Sequence, residues 1–101
     1  MALTLQEVIT EIATFREDSP IFAERVDKEF RPDSKAVVLD LTEEELHLPT
    51  DEMAALKCPG LDYFLDVFIA QAMMADSATA SPSISLDERI AAVIHYAEYD
   101  A

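Results

Sequence analysis

The sequence predicts an α+β fold that is mostly helical, with about four helices and a small two-stranded antiparallel hairpin. Apolar residues recur at helical spacing in several segments, and one β-branched run is bounded by turn residues. Two capping-box spacings, Thr4 with Glu7 and Ser85 with Glu88, mark the starts of a first and a last helix. Helices packed against one face of a small sheet fit this order of elements. At 101 residues the chain fits one acidic globular domain, residues 1–101.

In the first part of the chain we expect one helix followed by a hairpin. The helix runs from Leu5 to Arg16, and Asp18-Ser19-Pro20 ends it. The segment from Pro20 to Phe30 is ambiguous, and we interpret it as a short edge strand. The run from Lys35 to Leu41 is the clearest strand, and the turn before it predicts a hairpin.

The second part of the chain is expected to be helical. Thr42 to Pro49 is a loop or a single helical turn, and Thr50 is the N-cap of a short helix ending near Lys57. After Pro59-Gly60 we expect a core helix from Leu61 to Ala75 that is apolar on most sides. Residues 77–85 form a linker, and the last helix begins after Ser85.

The charge is the feature that bears most directly on function. Twenty-one Asp and Glu oppose seven Lys and Arg, giving a net charge of −14, while half of the residues are hydrophobic. The branched aliphatic and aromatic residues provide enough burial for folding. Self-repulsion in so acidic a domain favours a basic partner. The same charge argues against binding nucleic acid or an anionic membrane directly.

Three features predict a cytoplasmic protein. The single cysteine, Cys58, cannot form an intramolecular disulfide and fits a reducing compartment. The first residues show neither a basic flank nor a long apolar run, so we expect no secretory signal. The most apolar stretch contains Asp62 and Asp66 and is shorter than the ~20 residues of a membrane helix.

Acidic and tyrosine side chains are the candidate partner-binding residues. Carboxylates can bind Arg and Lys of a partner with bidentate geometry, and tyrosines can anchor an interface. In the expected helix, Asp62 and Asp66 lie one turn apart, where a partner cation would relieve their repulsion. The complete set is Asp40, Glu43, Glu44, Glu45, Asp51, Glu52, Asp62, Tyr63, Asp66, Tyr96 and Tyr99.

Catalytic and metal sites are not expected. The only histidines, His47 and His95, have no metal-ligand spacing with Cys58, so we predict no metal and no cofactor. The single glycine, Gly60, excludes the common glycine-rich phosphate loops, and no nucleophile turn is recognisable. We therefore expect a binding protein and not an enzyme.

The chain resembles the small acidic immunity proteins of bacterial contact-dependent growth inhibition toxin systems. The resemblance lies in the amphipathic first helix, the strand at Lys35 to Leu41, the segment Pro59 to Leu65 and the tyrosine-rich acidic end at Tyr96 to Asp100. It implies a cytosolic protein that binds and neutralises the toxin domain of a cognate effector, often a nuclease. These proteins share no universal motif, so the resemblance assigns no contact residue.

Two alternatives come from other classes. An acidic DNA mimic, as in phage anti-defence proteins, would occupy the groove of a nucleic-acid-binding protein with carboxylates spaced like phosphates. A dimeric scaffold or adaptor would use the expected Leu61 to Ala75 helix as its interface. A mimic is expected to spread its charge along the surface, whereas an immunity protein can concentrate it around an apolar epitope.

Overall fold

The computed structural model describes the backbone of residues 3–80 and 84–99, and the side chains of residues 3–76 and 84–99. It confirms an α+β fold with four helices. The helices are α1 (Leu5–Thr10), α2 (Thr50–Lys57), α3 (Val67–Ala80) and α4 (Leu86–Tyr99). The strands are β1 (Leu3–Thr4), β2 (Pro20–Ala23), β3 (Arg25–Val26), β4 (Glu29–Phe30), β5 (Lys35–Val38) and β6 (Asp62–Asp66).

Four strands form an antiparallel sheet in the order β1-β5-β2-β6. The expected antiparallel pairing of the strand that begins at Pro20 with the strand that begins at Lys35 is confirmed, because Phe22 of β2 lies opposite Val37 of β5. The edge position predicted for the strand that begins at Pro20 is wrong, because this strand, β2, pairs with β5 on one side and β6 on the other. All four of its residues are buried. An unbroken apolar run is typical of a strand covered on both faces. Pro20 is tolerated because it is the first residue of the strand.

The rest of the predicted edge strand forms a separate two-stranded ribbon, β3 with β4. Its two-residue turn is Asp27-Lys28, with φ of 53° and 70°. Positive φ at both positions gives a turn whose twist matches that of the flanking strands.

The first helix is shorter than predicted. The capping box is present, since Thr4 Oγ1 accepts from the Glu7 amide and the Glu7 side chain accepts from the Thr4 amide. The α-helix nevertheless ends at Thr10, and a 3₁₀ turn follows at Ile12–Thr14. The Thr10 hydroxyl donates to the Gln6 carbonyl (2.6 Å). A threonine hydroxyl that bonds the carbonyl four residues earlier slightly weakens a helix. β-Branched residues also have lower helix propensity than straight-chain residues.

The helix predicted from Leu61 to Ala75 is wrong over its first part, which is strand β6. The expected core stripe placed Phe64 and Leu65 on a helix, but both are buried in a strand. The pairing of β2 with β6 shifts at this point, so that Ile21 faces Leu65 and Phe22 faces Tyr63. Phe64 is the extra residue of a bulge, which lets two successive side chains reach the same core. A short buried run has no periodicity that separates strand from helix.

Apolar clusters lie on both faces of the sheet. The larger cluster contains residues of α1, α3 and α4, and the smaller contains Phe22, Leu41, Met53 and Cys58. The Phe22 and Tyr63 rings meet edge to face in the smaller cluster, with centroids 5.8 Å apart. The helices α1, α3 and α4 thus cover one face of the sheet, while α2 and its flanking loops cover the other. The candidate site lies on this second side.

The remaining helix boundaries largely follow the sequence. α2 ends at Lys57 as expected, but Thr50 is its first helical residue and Pro49 takes the N-cap position. The Ser85 hydroxyl caps α4 by accepting from the Glu88 amide (3.2 Å). The predicted linker is wrong up to Ala80, which is helical, and its residues 81–83 lie outside the described residues, as does Asp100. In the described part of the chain, no helix has the length and apolarity needed to cross a bilayer.

Candidate partner-binding groove

A groove of about 280 Å³ opens on the α2 side of the sheet, and we call it the acidic groove. It combines an apolar floor with carboxylates. Its lining residues are Asp18, Pro20, Leu41, Leu46, Leu48, Thr50, Met53, Tyr63 and Asp66.

Buried and exposed apolar residues give the groove its floor and rim. Leu41 and Met53 are 8% and 6% exposed, so they are fixed in the smaller core. Leu46 is 38% exposed although it is a large aliphatic residue. A partly open leucine above a rigid floor is suited to contact an apolar side chain of a partner.

The loop that carries Leu46 is held by Glu45. The Glu45 carboxylate accepts from the Thr42 amide (3.1 Å) and forms an ion pair with Lys57, and the Thr42 hydroxyl accepts from the Glu45 amide (3.3 Å). The hydrogen bond to Lys57, followed by that to the Thr42 backbone, lowers the pKa of Glu45. Glu45 therefore positions the loop, and its carboxylate is already paired.

An internal arginine lies beside the groove. The Arg16 guanidinium contacts Asp18 Oδ2 and Asp40 Oδ1, both at 3.0 Å. Asp18 lines the groove, and Asp40 directly precedes Leu41. Two carboxylates from separate segments thus already bind one guanidinium at this position.

Tyr63 and Asp66 are the groove residues that come from β6. Pro20 pairs with Asp66, and the Val67 amide donates to the Ser19 carbonyl (2.9 Å), which joins this end of β6 to the start of β2. Burial, and then the charge of Asp66, raises the pKa of Tyr63 to about 12. The phenol therefore stays protonated at neutral pH and remains a donor beside a carboxylate.

The structure brings part of the predicted residue set together. Tyr63 and Asp66 line the groove, and the exposed Glu43 and Glu44 belong to the same loop as Leu46. The exposed Asp51 and Glu52 follow Thr50 in the first turn of α2. These residues place negative charge around the apolar floor.

Other predicted residues lie elsewhere. Asp62 forms an ion pair with Arg25 (3.2 Å), at the opposite end of β6 from Asp66, so the two are not one helical turn apart. Tyr96 is half-buried against the larger core, and Tyr99 is 67% exposed beside His95, with ring centroids 4.7 Å apart. These three residues do not line the acidic groove.

Sequence reasoning missed the apolar half of the groove. Leu41, Leu46 and Leu48 were assigned to the end of a strand and to a loop, and were not considered as binding residues. Asp18 was treated only as a helix stop. The presence of Leu46 and Leu48 in the acidic loop from Thr42 to Pro49 could have indicated an apolar contact surface, because grouped apolar side chains at a surface mark interaction sites.

Cys58 and the potential metal ligands were the remaining chemically reactive side chains of the sequence analysis. Cys58 is buried, and that burial raises the pKa of its thiol, which disfavours the reactive thiolate. Among the side chains of residues 3–76 and 84–99, no three of His, Cys, Asp or Glu converge to hold a metal ion.

Comparison with known proteins identifies a family without a known activity. A model described as a domain of unknown function, DUF7716, matches residues 2–101. No curated protein and no solved structure matches the chain. Because the match spans nearly all of the sequence, the chain belongs to the DUF7716 family.

Proposed function

We propose that this DUF7716 member is a cytosolic immunity protein, which binds a basic toxin domain through the acidic groove and neutralises it. The observation that supports the proposal most is the groove itself, in which Leu46 and Tyr63 lie among carboxylates. The toxin domain is proposed to be a nuclease, because nucleases carry basic active sites. Neutralisation then follows from covering that basic surface.

The two parts of the groove have separate roles in this proposal. A net charge of −14 attracts a basic partner over a distance and speeds association at low salt. The apolar floor then supplies the contact that excludes water, and charge pairs around it gain strength from that exclusion. Binding is therefore expected to weaken with salt but not to vanish.

The DNA-mimic alternative is supported less well. A mimic needs free carboxylates in a phosphate-like row, but Asp40, Glu45 and Asp62 are each paired with a cation of this chain. The acidic groove also has an apolar centre, whereas a mimic of a phosphate backbone needs only a row of negative charges. An interface with an apolar anchor fits an immunity protein better.

The dimeric scaffold alternative loses its original basis. It required an apolar helix from Leu61 to Ala75, but residues 62–66 are a strand, and Val67 and Ala70 are in the core. Phe68 is 57% exposed on α3 and is a candidate for a contact between two copies. Light scattering over a range of concentrations tests this alternative, and we expect a monomer.

Capture followed by a growth assay tests the proposed function. The protein is used as bait in lysate of its native host, with low-salt and high-salt washes, and bound proteins are identified by mass spectrometry. We expect one basic protein whose expression alone stops growth and whose effect is relieved by co-expression of this chain. A captured protein that is harmless when expressed alone would contradict neutralisation.

A further inference from the structure

The size of the acidic groove restricts what it can take up. Its volume of about 280 Å³ lies just below the roughly 300–1,000 Å³ of small-molecule pockets. One long side chain of a partner is a better match than a cofactor or a folded element.

The lining of the groove matches the two parts of an arginine side chain. Leu41, Leu48 and Met53 provide apolar contacts for the methylene stem. Asp18 and Asp66 provide carboxylates for the charged end. Long basic side chains commonly bury the stem on apolar surface while the charged head keeps polar partners.

Asp66 interacts with the Tyr63 hydroxyl, and its carboxylate keeps further lone pairs that can accept hydrogen bonds from a partner. Among the described residues it forms no ion pair, whereas Asp18 shares Arg16 with Asp40. It is half-buried, so a cation that reaches it is partly shielded from water.

Arg16 shows that this part of the surface accepts a guanidinium. Its Nη1 atom contacts Asp40 and its Nη2 atom contacts Asp18, both at 3.0 Å, so one guanidinium bridges two carboxylates. A second guanidinium inside the groove would have Asp66 and the second carboxylate oxygen of Asp18, Oδ1, as acceptors, since the Arg16 ion pair uses Asp18 Oδ2.

We infer that the acidic groove is a receptor for one arginine side chain of the partner, with Asp66 as the carboxylate that binds its guanidinium. This inference rests on the proposed function and adds the chemistry of the contact. Tyr63, whose ring lies beside the site, is expected to position the arginine by packing and by its hydroxyl.

Peptide titration of the full chain tests the inference. The probe is acetyl-Ala-Leu-Arg-Leu-Ala-amide, and the matched control carries citrulline, which keeps the shape of arginine but has no charge. Binding is followed by the backbone NMR shifts of Tyr63 and Asp66. We expect saturable shifts with the arginine peptide and about tenfold weaker binding of the citrulline peptide, as expected for loss of a charge-assisted pair.

Variants locate the contact. Asp66→Asn is expected to weaken the arginine peptide about tenfold, whereas Asp33→Asn, which removes an equal charge from an exposed turn, is expected to change binding less than twofold. The spectra report whether each variant is folded, and the citrulline comparison needs no variant.

Three results would overturn the inference: no saturable shift at the groove, equal binding of both peptides, or equal effects of the two substitutions. Failure here is separate from failure of the proposed function. A toxin captured through Leu46 but indifferent to Asp66→Asn would leave the immunity proposal intact and remove only the arginine receptor.

Discussion

Arg25 Nη1 lies 3.0 Å from Glu98 Oε2 and joins the β3–β4 ribbon to the last turn of α4. Glu98 also accepts from the Phe30 amide, and its side chain is only 11% exposed. The Arg25 guanidinium stacks on the Phe30 ring at 4.1 Å. A carboxylate near the end of the chain therefore holds a ribbon that lies 73 residues earlier.

Glu98→Ala is predicted to destabilise the protein by about 1–3 kcal/mol, because it leaves the part-buried Phe30 amide without its acceptor and removes one of the two carboxylates paired with Arg25. Urea unfolding measures the change. Glu98→Gln keeps an acceptor and removes only the charge, so we expect it to cost less. A loss below about 0.5 kcal/mol for Glu98→Ala would show that the contact adds nothing to stability.

Substitutions of Phe64 and Phe68 distinguish the strand β6 from the helix that the sequence predicted from Leu61 to Ala75. A helix from Leu61 to Ala75 would bury both rings on one stripe, but Phe64 is 2% and Phe68 57% exposed. Phe64→Ala is predicted to cost about 3–5 kcal/mol by opening a cavity, and Phe68→Ala within about 0.5 kcal/mol. Thermal or urea unfolding compares them, and similar large losses would support the helix instead.

The raised pKa of Tyr63, about 12, predicts a loss of stability at alkaline pH. Folding favours the neutral phenol, so its contribution is complete below the ordinary pKa of about 10 and is lost as pH rises through about 12. Unfolding of the wild type and of Tyr63→Phe is compared between about pH 8 and pH 12. We expect the wild type to lose more stability above about pH 10. Parallel curves would mean that Tyr63 titrates alike in both states.

The acidic loop is predicted to contain both binding and structural carboxylates. Charge reversal of Glu43 and Glu44, which are exposed, should weaken capture of the basic partner at low salt and leave unfolding unchanged. Reversal of Glu45 should also destabilise the loop, because it repels Lys57 and removes the acceptor for the Thr42 amide. Unchanged capture with Glu43 and Glu44 reversed would remove the loop from the interface.

The sequence predicted the elements whose signals are local. The caps at Thr4 and Ser85 and the β-branched run from Lys35 were recognised because side-chain chemistry within a few residues specifies them. Strand β6 was missed because Phe64 and Leu65 are buried through pairing with β2, some forty residues earlier in the chain, and by a bulge. Tertiary pairing of this kind overrides local periodicity.

The candidate site also has a part that the sequence predicts and a part that only the folded chain brings together. Its carboxylates could be predicted because charge is visible in composition, and Tyr63 and Asp66, both predicted as partner-binding residues, line the groove. The apolar floor could not be predicted, because Leu41 and Met53 meet only when α2 folds over the sheet. Likewise, the ion pair of Asp62 with Arg25 could not be predicted, because the two residues are distant in sequence and meet only in the folded chain.

In the proposed complex the acidic groove, and not negative charge alone, binds the basic partner. The most direct test compares the affinity of the captured partner for two leucine variants of equal charge. Leu46→Ser alters the groove, while Leu56→Ser alters a leucine that is 69% exposed on α2 and does not line it. We predict that Leu46→Ser weakens binding at least about tenfold and that Leu56→Ser leaves it within about twofold. Equal affinities of the two variants would contradict the claim.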